Sequence, residues 1–176
     1  QAGFMGRADI LEELGYKAED IKNFDDIEEV LKKCQEVHPE LYPMIPSDLN
    51  NGCFLNYVKG EFDVVTSGVG VDIDDDASDG ITVINTYDTE KYKEMAEKAY
   101  DWNQKGYFMP DSTTNTTTRQ DLFRANTAFS YYGNQHPGTA TQETMNSGKE
   151  IVSIPIGRST ISTSSVNFCQ WAIPAQ

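Results

Sequence analysis

Asp72, Asp74 and Asp76 are spaced at alternate positions, as the first three ligands of a calcium loop would be. Hard carboxylate oxygens in that pattern suit calcium, but an EF-hand also needs a glycine at its sixth position and a bidentate glutamate at its twelfth. Ala77 and Val83 stand there instead, so the segment is expected to be a solvated hairpin turn, with weak calcium binding as the lesser alternative. The two histidines, His38 and His136, fall in neither an H-x-x-x-H nor an H-E-x-x-H pattern, and no zinc or triad chemistry is expected of them. No G-x-S-x-G turn exposes a serine, and Gly68-Val69-Gly70 is followed by neither a third glycine opening a helix nor G-K-S/T. That removes the nucleophile elbow and the phosphate loops. Cys34, Cys53 and Cys169 lack the C-x-x-C spacing of zinc ribbons and redox motifs. The chain is therefore expected to need no cofactor and to be no enzyme.

Other side chains suit binding. Glu12, Glu13, Glu28, Glu29, Glu94 and Glu97 fall on the outer faces of predicted helices, where charge is solvated, whereas a glycosidase needs two carboxylates facing across a cleft. Trp102, Tyr100 and Tyr107 surround the end of a predicted helix, as aromatic core packing does. In Phe129-Ser130-Tyr131-Tyr132-Gly133-Asn134, strand alternation sends the tyrosines to opposite faces just before a loop closed by Pro137-Gly138. One tyrosine is expected at an exposed strand end. Gln170-Trp171-Ala172-Ile173-Pro174 sets an aromatic beside an amide. A sugar ring stacks its C–H face on an aromatic and pairs its hydroxyls with planar polar groups. The same residues equally suit the edge of an ordinary core, and both readings remain open.

The elements that must position these groups are legible in part. Ile10, Leu11 and Leu14 lie at helical spacing before Gly15, which suits the left-handed position past a helix end. Asn23 or Asp25 can cap a second helix with Ile27, Val30, Leu31, Cys34 and Val37 on one face. Tyr42-Pro43-Met44-Ile45-Pro46 must be extended, because each residue before a proline is pushed out of the α region. Ser47, Asn50 and Asn51 then form a loop. Strands are expected at 54–58, 62–65, 69–71 and 81–84, set apart by Gly and Asp clusters. A third helix begins at Asp88 or Thr89, with Tyr92, Met95, Ala96, Ala99 and Tyr100 inward, and ends at Gly106. A short helix near 121–124, a strand at 127–132, a short helix near 141–146, a strand at 151–154 and an apolar segment at 166–173 follow. Strands and helices mixed at this spacing imply α/β or α+β architecture.

The chain's 176 residues suffice for one substantial core. Its 14 basic and 28 acidic side chains give a net charge of −14, which repels nucleic acid and anionic lipid. No apolar run approaches a bilayer span. The opening Gln1-Ala2-Gly3-Phe4 has neither an initiating Met nor a signal-peptide pattern, as expected of a piece excised from a longer chain.

Five segments then occur in a telling order. They are Phe4-Met5-Gly6-Arg7-Ala8-Asp9-Ile10-Leu11 with Leu14-Gly15; Asn23-Phe24-Asp25-Asp26-Ile27; and Asp88-Thr89-Glu90-Lys91-Tyr92-Lys93 through Trp102, Lys105-Gly106-Tyr107 and Pro110-Asp111. Leu122-Phe123 with Thr127-Ala128-Phe129, and Trp171-Ala172-Ile173-Pro174, complete the series. Together, over nearly the whole chain, they resemble the extracellular solute-binding proteins of ABC importers, in particular the lipoprotein-type family of Gram-positive bacteria. Asn23 stands where that family has a threonine.

The resemblance implies one α/β lobe of a type II periplasmic-binding-protein-like fold, a mixed sheet flanked by helices, with residues 1–176 as the second lobe alone. It implies a monomer on the outer face of the cytoplasmic membrane, anchored as a lipoprotein, that binds a solute between two lobes. The expected partners are a sugar or oligosaccharide, ABC permease subunits and the first lobe of the same chain. Tyr132, Asn134 and Trp171 are the expected cleft residues, with Arg7 and Gln170 next, because they sit at strand ends and interlobe crossings. A secreted carbohydrate-active enzyme fragment and a peptide-binding or adhesion module are the alternatives.

Overall fold

The computed structural model describes residues 2–47, 62–66, 68–73 and 81–157. In chain order the elements are β1 (Ala2–Arg7), α1 (Ala8–Glu13), α2 (Phe24–Val37), β2 (Tyr42–Ile45), β3 (Phe62–Thr66), β4 (Val69–Asp72) and β5 (Val83–Asn85). After these come α3 (Glu90–Gln104), α4 (Arg119–Arg124), β6 (Ala128–Asn134), α5 (Thr139–Ser147) and β7 (Ile151–Pro155). The main sheet has the order β2-β6-β1-β7. β1 is antiparallel to both its neighbours, while β2 is parallel to β6. Hence β2, β6 and β7 run one way and β1 the other, and the architecture is the expected mixed α/β sheet flanked by helices.

Each face of the sheet is covered. Phe4 and its cross-strand partner Tyr132 pack with Ile10 and Leu11 of α1, Ile27 and Leu31 of α2, and Trp102 of α3. Met5 and its partner Tyr131 point the other way, toward Ile45, Leu122, Phe123 and Ile151. Because strand side chains alternate, one interior strand thus serves two cores. The adjacent tyrosines of β6 do face opposite ways, but Tyr131 is 2% and Tyr132 0% exposed. Neither lies at an exposed strand end, since helices cover both faces there.

The helix ends follow their local chemistry. Asn23 accepts from the backbone N–H groups of Asp25 and Asp26 at 2.8 and 3.0 Å, and the Asp26 carboxylate accepts from the Asn23 N–H at 3.2 Å. This reciprocal cap satisfies donors that the first helical turn leaves unpaired. Thr89 caps α3 by accepting from Tyr92 N–H at 3.2 Å, and Gly15 and Gly106 adopt φ of 81° and 76° just past α1 and α3. The inner stripe of α3 is Met95, Ala99 and Trp102, a spacing of four and three residues. Tyr100 lies about 100° further round, and it is exposed rather than packed as expected.

A second sheet, β3-β4-β5, is antiparallel throughout. Lys91 joins it to α3, bonding Asp72 at 3.1 Å and lying over the Phe62 ring at 5.5 Å. The strand expected at 54–58, most of the aspartate turn including Asp74 and Asp76, and the apolar segment 166–173 lie outside the described residues. Among the described residues, no helix is long and apolar enough to cross a membrane.

Candidate functional site

With three strands running the same way, the carboxyl ends of β2, β6 and β7 gather at one edge beside the amino end of β1. In open α/β sheets this is the edge outside which ligands are held, because the chain turns away from the sheet there. Four stretches meet at it: Pro46-Ser47 after β2, Asn134 to Gly138 between β6 and α5, Ile156-Gly157 after β7, and Ala2.

The loop after β6 is built around polar groups. Asn134 is exposed and pairs with Ala2 across the ladder. His136 is exposed as well, and its N–H donates to the Thr139 hydroxyl at 2.9 Å while that hydroxyl donates back to the His136 carbonyl at 2.8 Å. This exchange turns the chain directly into α5, with Gly138 at φ 88° supplying the left-handed residue before it. Gln135 turns back over β1, where its amide contacts the Ala2 carbonyl and the Ser153 hydroxyl.

Beneath the loop lies an ion pair with little water around it. Arg119, at the start of α4, donates to Glu143 of α5 at 2.8 Å and to the Ser47 carbonyl, and its guanidinium sits over the Tyr131 ring at 5.0 Å. Glu143 is 5% exposed at its side chain, and it also accepts from Gln120 at 3.3 Å. A charge so enclosed must keep its partner, since a lone buried charge is costly. The pair therefore ties α4, α5 and the exit of β2 into one support. The side chains left facing outward are the amide of Asn134 and the imidazole of His136, chemistry suited to hydroxyl-rich ligands.

Of the residues expected at the site, Asn134 reaches this edge. Tyr132, two residues earlier, lies below it in the core, its ring 5.3 Å from Phe24. Arg7 is at the other end of β1, about 16 Å away for five extended steps. It is 3% exposed, held by the Asp9 carboxylate at 3.0 and 2.6 Å and by the Asn126 side-chain oxygen at 2.6 Å. Arg7 and Asn134 are thus not brought together, and Arg7 joins the start of α1 to the turn entering β6. Hydrogen bonding to Arg7 in turn holds the Asp9 carboxyl below its ordinary value. Trp171 and Gln170 lie outside the described residues.

The sequence did not mark Ser47, Arg119, Gln120, Gln135 or His136 for this edge. A signal existed for the last two, in a polar loop between a strand and a helix, which is where α/β sheets carry function. Cys34 is no candidate, because burial pushes its thiol up to about 12 and so suppresses the reactive thiolate. Among the described residues, no three His, Cys, Asp or Glu side chains are grouped to hold a metal.

Neither a protein-family model nor a curated protein sequence matches this chain. Solved structures do. The N-glycan transport solute-binding protein NgtS from Streptococcus pneumoniae, in complex with Man5GlcNAc, is 20% identical with a TM-score of 0.72, over 93% of this chain and 35% of its own. The S. pneumoniae ABC-transporter substrate-binding protein FusA, in complex with kestose, is 19% identical with a TM-score of 0.61, over 88% and 30%. A sugar transporter protein from Bacillus licheniformis, in complex with stachyose, is 14% identical with a TM-score of 0.58, over 89% and 39%. The fold is accordingly that of periplasmic-binding-protein-like solute-binding proteins, and the chain spans about a third of the length of those it matches.

Proposed function

We propose that this chain is the second lobe of a solute-binding protein that captures an oligosaccharide for an ABC importer, and that the carboxyl edge of the main sheet is its half of the cleft. The observation that supports this most directly is the outward amide of Asn134 and imidazole of His136, held on a supported loop. It stands on a fold whose neighbours are described in complex with Man5GlcNAc, kestose and stachyose. No step of bond making is needed, and the role is binding without turnover. Trp171 supplies the stacking face and Gln170 a further amide in this proposal, while Tyr132 and Arg7 hold the lobe in shape. Permease subunits as partners and a lipoprotein anchor outside a Gram-positive cell belong to the same proposal.

Binding of this kind is a shift between open and closed arrangements of two lobes. One lobe makes about half the contacts, and each 1.4 kcal/mol lost is about tenfold in affinity. The test is calorimetric titration of the intact polypeptide and of residues 1–176 alone with neutral oligosaccharides. Micromolar binding by the former, and none measurable by the latter, is expected. Replacing Asn134 or His136 by Ala in the intact protein is expected to weaken binding about tenfold, the loss of one or two hydrogen bonds. Unchanged affinity in both variants would remove this edge from the cleft.

A further inference from the structure

Gln135 is placed unlike its two exposed neighbours. Its side chain crosses the backbone of β1 and reaches β7, the second strand over, so that one amide bonds two strands to which its own residue is not paired. Nε2 donates to the Ala2 carbonyl at 3.4 Å, an oxygen that also accepts the Ile156 N–H at 3.3 Å. Oε1 accepts from the Ser153 hydroxyl. The crossing is possible only because β1 carries no side chain at position 3: a Cβ on Gly3 would lie 1.9 Å from Gln135 Nε2 and 2.5 Å from the Ile154 carbonyl oxygen. Gly3 pairs with Gly133, where a Cβ would approach Ser47 at 3.1 Å. The Gln135 amide thus lies in the space that a side chain at position 3 would fill.

Loops that bind are drawn from the least stable parts of a fold, and a loop left to move spends part of its binding free energy on being ordered. A single side chain that joins the loop to β1 and β7 removes that cost beforehand. We propose that Gln135 is a positioning residue for the ligand site: it fixes the loop from Asn134 to Gly138 against β1 and β7, so that Asn134 and His136 are held ready for a polyhydroxyl ligand. This rests on the assignment of the carboxyl edge as the cleft. Gln135 acts through its neighbours, and its amide stays on Ala2 and Ser153 when ligand is present.

The experiment uses the intact polypeptide with Gln135→Ala, Gln135→Glu and Ser153→Ala, and reads two quantities. Amide hydrogen exchange without ligand is expected to quicken about tenfold or more at residues 134, 135, 136 and 138 in Gln135→Ala, and to stay unchanged in α2. Gln135→Glu, which keeps an acceptor for Ser153 but loses the donor to Ala2, and Ser153→Ala, which keeps that donor, are each expected to give part of the effect. Affinity is titrated with stachyose and an oligomannose. Gln135→Ala is expected to weaken it about tenfold, chiefly through slower association, because the loop must be ordered at each encounter. Unchanged exchange overturns the proposal whatever the affinity does, and quickened exchange with unchanged affinity overturns the positioning role. An unsubstituted protein that binds neither sugar overturns the oligosaccharide reading on which the proposal rests, a result seen before any variant is made.

Discussion

At the scale of single residues, the Arg7 group shows how a local pattern acquires a long-range purpose. Arg7 and Asp9 form a two-point ion pair, and the third bond goes to Asn126. Asn126 has φ of 59°, a region that costs an ordinary L-residue about 1 kcal/mol. Asn126→Ala loses the bond and adds that strain, so a loss of about 2 kcal/mol is expected, whereas Asn126→Gly loses only the bond, about 1 kcal/mol. Urea denaturation of the two variants checks this, and equal losses would mean the backbone is not strained there. Asp9, whose carboxyl is held below 3.8 by its hydrogen bond to Arg7, takes up a proton more readily unfolded than folded. Its stabilisation is complete above the unfolded value and is lost as pH falls through the lower folded one. Stability of the protein should therefore fall more steeply below about pH 4 than that of Asp9→Asn, in acid titrations followed by circular dichroism. The spacing of Arg7 and Asp9 was visible in the sequence, and its similarity to a helix start was correct in position. What could not be read was the partner, because Asn126 is distant in the chain and only the β1–β6 pairing brings it near. For the same reason Arg7 looked available for a ligand when its guanidinium is already engaged.

At the scale of elements, legibility follows how local the determining interactions are. The Asn23 cap on α2 is made within four residues and was legible; Asn23→Ala is expected to cost about 1 kcal/mol, readable as a lower denaturation midpoint at unchanged slope. The α3 boundaries were also legible from Thr89 and Gly106. β1 was not marked by periodicity, since it holds Gly3 and Gly6 and is buried on both faces. A strand covered on two sides loses the alternation that announces one. Its glycines answer to contacts made elsewhere: Gly3 to Gln135, and Gly6 to the Phe4 ring, 2.8 Å from where a Cβ would stand. Strand order was illegible for a related reason, because β1 takes its partners from residues 130–134 and 151–155. The Arg119–Glu143 support is likewise a product of assembly, two charges on separate helices whose burial no spacing rule reveals. Removing one member leaves the other enclosed and unmatched, so Glu143→Ala is expected to lose about 3 kcal/mol. A loss below about 1 kcal/mol, the range of an exposed pair, would show that water reaches the site.

At the scale of the whole molecule, the charge decides between solutes that the site's hydrogen-bonding groups alone would treat alike. The chain carries −14, while at the carboxyl edge the Arg119 cation is matched by Glu143 and the outward amide of Asn134 is uncharged. A neutral oligosaccharide meets no penalty there. A uronate of the same length keeps the hydroxyl contacts and approaches a surface whose mean field repels it. The repulsion is long-ranged at low salt and is largely screened beyond about 10 Å at 0.1 M. Titration of the intact protein with neutral and uronate oligosaccharides of equal length, at two salt concentrations, is therefore expected to favour the neutral sugar, with the gap narrowing as salt is added. The sign of the salt dependence carries the decision. If the uronate binds more tightly and loses affinity with salt, the cleft is locally positive, the negative charge is turned away from it, and the solute is acidic. If the uronate gains affinity with salt while the neutral sugar does not change, the field of this acidic chain reaches the proposed site and selects against charged sugars before contact is made.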